Sequence, residues 1–99
     1  MNSHFNNLDK AFENKVRLGI MSILVIEDQV SFNDLKNNLS LTDGNLASHL
    51  KALEKYGYIS VIKSFIGRKP STNYSVNKLG EAAFKKHLNA LEHILKSMK

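Results

Sequence analysis

The stretch LTDGNLASHLKALEKYGYI, residues 41–59, decides how this chain folds. Its leucines Leu46, Leu50 and Leu53 recur at helical spacing, so they predict a helix with one apolar face that packs on a core. The other face opens with small, hydrogen-bonding residues, where a helix that only needs solubility usually carries Glu and Lys. That face therefore requires a role other than solubility.

The size and composition of the chain limit what it can be. Its 99 residues, 42% of them hydrophobic, predict one domain over residues 1–99 with a modest core and no deep substrate cleft. The absence of cysteine excludes disulfides and thiolate chemistry and suits a reducing compartment. The N-terminal residues do not form a signal-peptide pattern, and the apolar run at residues 20–26 is too short to cross a membrane. We expect a cytoplasmic protein with no membrane contact.

The charge of the chain is concentrated in its second part. Residues 1–41 contain four Lys or Arg and five Asp or Glu, a net charge of −1, whereas residues 42–99 contain ten and four, a net charge of +6. This asymmetry predicts an anionic partner for the second part, with nucleic acid first and a membrane surface second.

Three helices are predicted before any long strand. Apolar residues at helical spacing predict a first helix over about residues 8–26, and Val30 predicts a short extended segment. Ser31 begins a capping motif for a second helix over about residues 32–38. Thr42 is the natural N-cap of the third helix, which should end at Gly57 in a left-handed cap. Two short helices joined by a tight turn form a helix-turn-helix.

The periodicity changes after residue 57. The segments YISVIKSF, residues 58–65, and STNYSV, residues 71–76, have the composition of strands. The intervening IGRKP, including Pro70, predicts a turn whose tip presents Arg68 and Lys69. Asn77 should cap a last helix that runs to about Met98. The predicted class is mainly α within α+β: a winged helix-turn-helix with three helices, a two-stranded wing hairpin and a long C-terminal helix.

The run TDGNLASHLKALEKYGYISVIKSFIGRKPSTNYSVNKLG, residues 42–80, resembles the core of small winged-helix transcriptional regulators of the MarR/ArsR type. The part SHLKALEKYGYI is similar to the signature that ends the recognition helix and begins the wing in that family, and NKVRLGIMSIL, residues 14–24, resembles its first helix. The resemblance implies a dimeric DNA-binding regulator whose third helix enters the major groove. Two departures stand out: the cysteines of metal-sensing ArsR proteins are absent, and GRKP lacks the acidic residue that larger MarR proteins place before the wing arginine.

The first turns of the third helix also fit DNA contact on physical grounds. Exposed amides and the positive dipole end favour phosphate there, and short polar side chains can reach base edges. Glycine permits close approach of the backbone, and asparagine can pair with adenine. Each residue also has a purely structural explanation, as a cap, a partner of the dipole or solvated surface. The candidate DNA contacts are Thr42, Asp43, Gly44, Asn45, Ser48 and His49.

A second group of candidates is electrostatic. Lysine and arginine contacts to phosphate position a protein without reading sequence, and they weaken as salt rises. Arg68, on a glycine-containing turn, is the best candidate for insertion into a narrow minor groove. Lys55 and Lys63 serve equally well as ordinary solvated charges. The full group is Lys51, Lys55, Lys63, Arg68 and Lys69.

The last helix predicts a homodimer. Five apolar residues of this helix are spaced 4, 3, 4 and 3 positions apart, which is the spacing of a coiled-coil seam. A helix of about 20 residues extends roughly 30 Å, farther than a small core can cover, although part of the stripe should fold back on the first helix. The predicted dimer interface comprises Phe12, Phe84, Leu88, Leu91, Leu95 and Met98.

Other functions have less support. The only cluster resembling metal ligands is His87, Glu92 and His93, and the two histidines lie on nearly opposite helix faces, so we expect no metal, no cofactor and no enzyme activity. The main alternative is a winged helix that binds an acidic protein surface, and a third is binding of double-stranded RNA or left-handed DNA. A possible small-molecule effector, placed between the first and last helices, stays unassigned.

Overall fold

The computed structural model describes residues 4–98 and contains the predicted order of elements. Its four helices and three-stranded antiparallel sheet confirm the winged-helix arrangement. Two short 3-10 turns precede the first helix. The elements are the 3-10 turns Phe5–Asn7 and Lys10–Phe12, the helices α1 (Lys15–Leu24), α2 (Phe32–Leu39), α3 (Asp43–Tyr56) and α4 (Lys78–Lys96), and the strands β1 (Val30–Ser31), β2 (Ile59–Ile66) and β3 (Lys69–Val76).

The first helix is shorter than predicted. It begins at Lys15 rather than near residue 8, because the Asn14 side chain accepts hydrogen bonds from the backbone N–H groups of Val16 and Arg17, at 2.9 and 3.1 Å. An N-cap of this kind requires non-helical backbone at residue 14, so the preceding residues turn separately. The helix also ends two residues early, at Leu24.

The predicted caps of the helix-turn-helix are confirmed. The Ser31 hydroxyl accepts from the N–H of Asp34 at 3.1 Å, and the Thr42 hydroxyl accepts from the N–H of Asn45 at 3.2 Å. Gly57 ends α3 in the left-handed region, with φ 81°. The second helix extends to Leu39 and stops there because the next residue is left-handed, with φ 53°.

Strand β3 is central in the sheet, between β1 and β2. Strands β2 and β3 pair from Ile59↔Val76 to Ile66↔Lys69, so the turn between them contains only Gly67 and Arg68. The prediction that Pro70 lies in the turn is therefore wrong. It lies in β3 opposite Phe65, beyond the end of the short β1. Proline can occupy this position because an N–H group here would point away from β2, so no hydrogen bond between the strands is lost.

The core joins all the helices. The large side chains with less than 2% exposure come from α1, α2 and α3, and they fix the orientation of the helix-turn-helix. The Phe12 ring adds a second cluster, with Tyr58, Phe84 and His87 around it at centroid distances of 5.2–5.4 Å. Within residues 4–98, no helix is both long and apolar enough to cross a membrane. The fully buried large side chains are Ile20, Met21, Leu24, Leu35, Leu46, Leu50 and Leu53.

Candidate nucleic-acid interface

Helix α3 has one face in the core and one face in solvent. Leu46, Leu50 and Leu53 are 0–1% exposed, which fixes the rotation of the helix about its own axis. The predicted contact residues of the first turns therefore project outward, with His49 only partly exposed. The exposed predicted contacts on α3 and its cap are Thr42, Asp43, Gly44, Asn45, Ser48, Lys51 and Lys55.

The space above Gly44 is open. A Cβ atom built on this residue would meet no heavy atom within 4 Å, so packing does not require glycine at this position. Glycine in the first turn of a helix lowers its stability relative to alanine. This cost is accounted for if another molecule approaches the backbone closely at residue 44.

Asp43 is already paired inside the protein. Its carboxylate lies 2.9 Å from the Nζ atom of Lys36 on α2, and both side chains are partly exposed. The pair links the two helices of the helix-turn-helix and offsets a negative charge that would otherwise repel phosphate. Lys36 was not among the sequence candidates. Asp43 thus has a structural partner in addition to its proposed place beside DNA.

His49 is held by a residue of the first helix. The Arg17 Nη1 atom lies 3.3 Å from the His49 Nδ1 atom, and the Arg17 Nε–H donates to the carbonyl of Ala11 at 2.7 Å. Burial, and then the charge of Arg17, lower the pKa of His49 below its ordinary value, so the ring is neutral at pH 7. With Nδ1 accepting from arginine, the ring proton is on Nε2, which can donate to DNA. Sequence analysis missed Arg17, whose only signal was a charged residue within an apolar helix.

The wing carries its basic residues beyond the core. Lys63, Arg68 and Lys69 are all exposed, and Arg68 occupies the second position of the two-residue turn. Gly67 has φ 66°, a left-handed conformation that permits this tight turn. Residues 55–80 contain five Lys or Arg and no Asp or Glu. The whole wing therefore presents an uninterrupted positive charge.

Three side chains lock the end of α3 to the N-terminal segment and α4. The Tyr58 hydroxyl donates to the Asp9 carboxylate at 2.6 Å, and the backbone N–H of Asp9 donates to the Nδ1 atom of His87 at 2.9 Å. Burial and the bond to Asp9 raise the pKa of Tyr58 to about 12, so the phenol keeps its proton. Burial lowers the pKa of His87, although the negative charges of Asp9 and Glu13 act to raise it.

This cluster predicts a loss of stability in mild acid. Because the folded-state pKa of His87 lies below its ordinary value of 6.5, the unfolded chain binds more protons there, and stability falls as pH drops below about 6.5. A protonated Nδ1 also cannot accept from Asp9. The variant His87→Asn keeps an acceptor and cannot titrate. Between pH 7.5 and pH 5.5 its free energy of unfolding should therefore fall by roughly 1 kcal/mol less than that of the parent. Urea unfolding at both pH values measures this, and an unchanged loss would assign the acid sensitivity to other groups.

The structure divides the predicted dimer residues into two groups. Phe12 and Phe84 are only 2% and 4% exposed, because they pack edge to face within one chain, so their assignment to a dimer interface is corrected. The remaining residues lie on the surface of α4 or just beyond its end: Leu88, Leu95 and Met98 are 43%, 67% and 71% exposed, and Leu91 is half-buried.

The surface of the chain carries shallow grooves. A groove of about 400 Å³ lies between the end of α1 and α4, lined by Val25, Glu81, Phe84, Lys85 and Leu88. A second, of about 440 Å³, lies between residues 6–10 and α4. Among residues 4–98, no three His, Asp or Glu side chains are grouped in a way that could hold a metal ion.

A capped helix-turn-helix with an exposed polar first turn, followed by a basic hairpin, defines a winged helix built to meet a nucleic acid. Comparison with known proteins agrees. Residues 16–95 match the family model of the winged helix DNA-binding domain, and the chain belongs to this family. An uncharacterised protein of Methanocaldococcus jannaschii is 36% identical over 89 residues, which cover 90% of this chain and 97% of the relative.

Solved structures of transcriptional regulators are similar to the chain. A transcriptional regulator homologue from Pyrococcus horikoshii matches with a TM-score of 0.89 and 29% identity over 99% of both chains. A MarR-family transcriptional regulator from Enterococcus faecalis matches in fold, with a TM-score of 0.74 and 23% identity over 88% of this chain and 77% of that one. The protein is a small winged-helix DNA-binding protein that is MarR-like in its fold, and its family is one of DNA-binding domains and not of enzymes.

Proposed function

We propose that this protein regulates transcription in the cytoplasm by binding a palindromic operator as a homodimer. In this proposal residues 1–99 form one domain, α3 of each protomer reads bases in the major groove, and each wing contacts the adjacent minor groove. Half-site centres lie about 10 bp apart, so that both recognition helices face the same side of the duplex.

One observation carries the proposal: the first turn of α3 is open to another molecule. No atom lies within 4 Å of the Cβ position of Gly44, and Asn45 and Ser48 are exposed beside it. The buried leucines on the opposite face hold this surface rigidly outward. A rigid helix that presents short polar side chains and a bare backbone fits a groove whose bases carry hydrogen-bonding edges.

The remaining contacts supply affinity. Lys51, Lys55 and Lys63 follow α3 and the base of the wing, where they can meet phosphates without reading sequence. In this proposal Arg68, at the tip of the turn, enters the minor groove. Since residues 55–80 have no carboxylate, no acidic side chain of this segment opposes such contacts.

The proposed dimer leaves room for an effector. If Leu88 packs against a second copy, the groove of about 400 Å³ beside it would lie at the edge of the interface. A small molecule bound there would contact α1 and α4 together and could change the distance between the two recognition helices. We propose this groove as the effector site, with the chemistry of the effector unassigned.

Base reading and phosphate binding should separate in experiment. Asn45→Ala or Ser48→Ala should relax discrimination at particular base pairs by roughly 1–3 kcal/mol, because a hydrogen bond to a base edge is lost. Arg68→Ala with Lys69→Ala should weaken binding to most sequences and reduce the slope of log affinity against log salt by about two. Selection from a random duplex library, followed by mobility shifts at several salt concentrations, measures both.

Each competing reading gives a distinct result in the same assay. A protein-interaction module would show only weak retardation that does not depend on sequence. An RNA-binding or left-handed-DNA-binding winged helix would retain the corresponding duplex in preference to ordinary DNA. If the α3 variants select the same sequences as the parent, α3 is not the recognition helix.

A further inference from the structure

The tip of the wing exposes two large apolar side chains. Phe65 and Ile66 are each 73% exposed, although they are the last residues of a paired strand. Burial along β2 ends at Ile62, so the final four residues of the strand extend beyond the core. Four strand residues span roughly 10 Å, which is more than the depth of a minor groove.

The two side chains lie on opposite faces of the hairpin. Successive strand residues alternate in direction, so Ile66 shares a face with its partner Lys69, whereas Phe65 shares a face with its partner Pro70. Pro70 is exposed, and it has no N–H group that would add a polar atom. Phe65 and Pro70 therefore form an apolar pair at the end of the wing. Within the described chain, neither residue belongs to the buried core or to the partly buried hydrophobic residues packed against it.

The surroundings of this pair are basic. Lys63 lies two residues before Phe65 on the same face, Arg68 occupies the turn, and residues 55–80 contain no acid. The partner of the wing tip must therefore combine negative charge with a surface that accepts an apolar ring. The minor groove of DNA does so, with phosphates along its edges and sugars and bases between them.

We propose that Phe65, supported by Pro70, is a wedge that enters the minor groove and partly unstacks one base step, bending the operator. This inference rests on the proposed function. A whole hairpin is too broad for a groove about 6 Å wide, so only side chains at its tip, Phe65 and Arg68, enter it, and Lys63 lies beside the phosphates. Bending costs less free energy at flexible steps such as TA or CA. The protein therefore prefers these steps even though no hydrogen bond to a base selects them.

The test measures how strongly the parent and its variants bend the duplex that the parent selects. The bend is measured by fluorescence transfer between dyes at the two ends of the duplex. The parent should bend this duplex by roughly 20–90°, and 2-aminopurine at the flexible step should brighten as it unstacks. Phe65→Ala should abolish both signals and reduce the preference for the flexible step by about tenfold. Phe65→Leu should restore much of the bend, since leucine also serves as a wedge.

Ile26→Ala is the matched control, because Ile26 is 82% exposed and lies between α1 and β1, away from the wing. It should leave the bend and the step preference unchanged. If Phe65→Ala binds and bends as the parent does, the wedge is wrong while the proposed function stands. If the parent selects no sequence, both are wrong. Loss of binding to anionic phospholipid vesicles in Phe65→Ala, with an unchanged DNA bend, would assign the wing tip to a membrane surface and overturn the wedge.

Discussion

Gly80→Ala is expected to destabilise the folded protein by roughly 3 kcal/mol or more. A Cβ atom on Gly80 would overlap the carbonyl oxygen of Tyr58 and lie 2.9 and 3.0 Å from its C and Cα atoms. These are backbone atoms at the junction of α3 and β2, so no side-chain rotation can relieve the overlap. The N–H of Asn77 donates to the same Tyr58 carbonyl at 3.1 Å, and its side chain donates to the Gly57 carbonyl at 2.8 Å. Movement of α4 away from the junction would break both bonds.

Urea unfolding of the two variants Gly80→Ala and Gly44→Ala provides the comparison. Both glycines lie in the first turn of a helix, but only Gly44 has open space above it. Gly44→Ala should therefore stabilise the free protein by roughly 0.5–1 kcal/mol while weakening operator binding, because its methyl group stands where DNA would approach. Equal stability of Gly80→Ala and the parent would show that α4 begins farther from the junction than the structure indicates.

The fold was predictable where short-range hydrogen bonds decide it. The side chains of Ser31, Thr42 and Asn77 each accept a bond from the N–H three residues ahead, and all three caps follow from residue type and position. The start of α1 was not predicted, because apolar periodicity continues through residues 8–14 while the cap at Asn14 interrupts the backbone. Periodicity shows which face of a helix is apolar, but it does not show at which residue an N-cap begins the helix.

The proposed site was predictable in outline only. Sequence placed the polar residues of α3 and the basic residues of the wing, but not the contact between Arg17 and His49, which are 32 positions apart. Pairings at such separations depend on how helices cross, which no local pattern encodes. The same limit applies to Phe12 and Phe84, whose apolar character is consistent with either a core or an interface. Their burial within one chain settles this only after the helices are packed.

Dimerisation carries the largest expected effect on function. Leu88 and Leu95 are seven residues apart on one side of α4 and are 43% and 67% exposed in a single chain. Leu88→Asp with Leu95→Asp should leave the core intact but place two unpaired carboxylates in the proposed interface, where they lose hydration without compensation. We expect the dimer dissociation constant to rise by about a hundredfold or more. Operator affinity should fall with it, since a monomer engages only one half-site.

Sedimentation at a fixed micromolar concentration and mobility shifts on the selected operator measure the two effects together. Ala82→Asp with Asn89→Asp is the matched control, because it adds the same charge at the same seven-residue spacing on exposed positions of another α4 face. Urea unfolding of both double variants shows whether the fold is retained. The control should remain dimeric. The two added negative charges weaken DNA binding equally in both double variants, and only the leucine variant also removes the interface, so the control should bind the operator more tightly than the leucine variant. A folded, monomeric leucine variant that binds the operator as tightly as the control would rule out a mechanism that depends on two recognition helices held by α4.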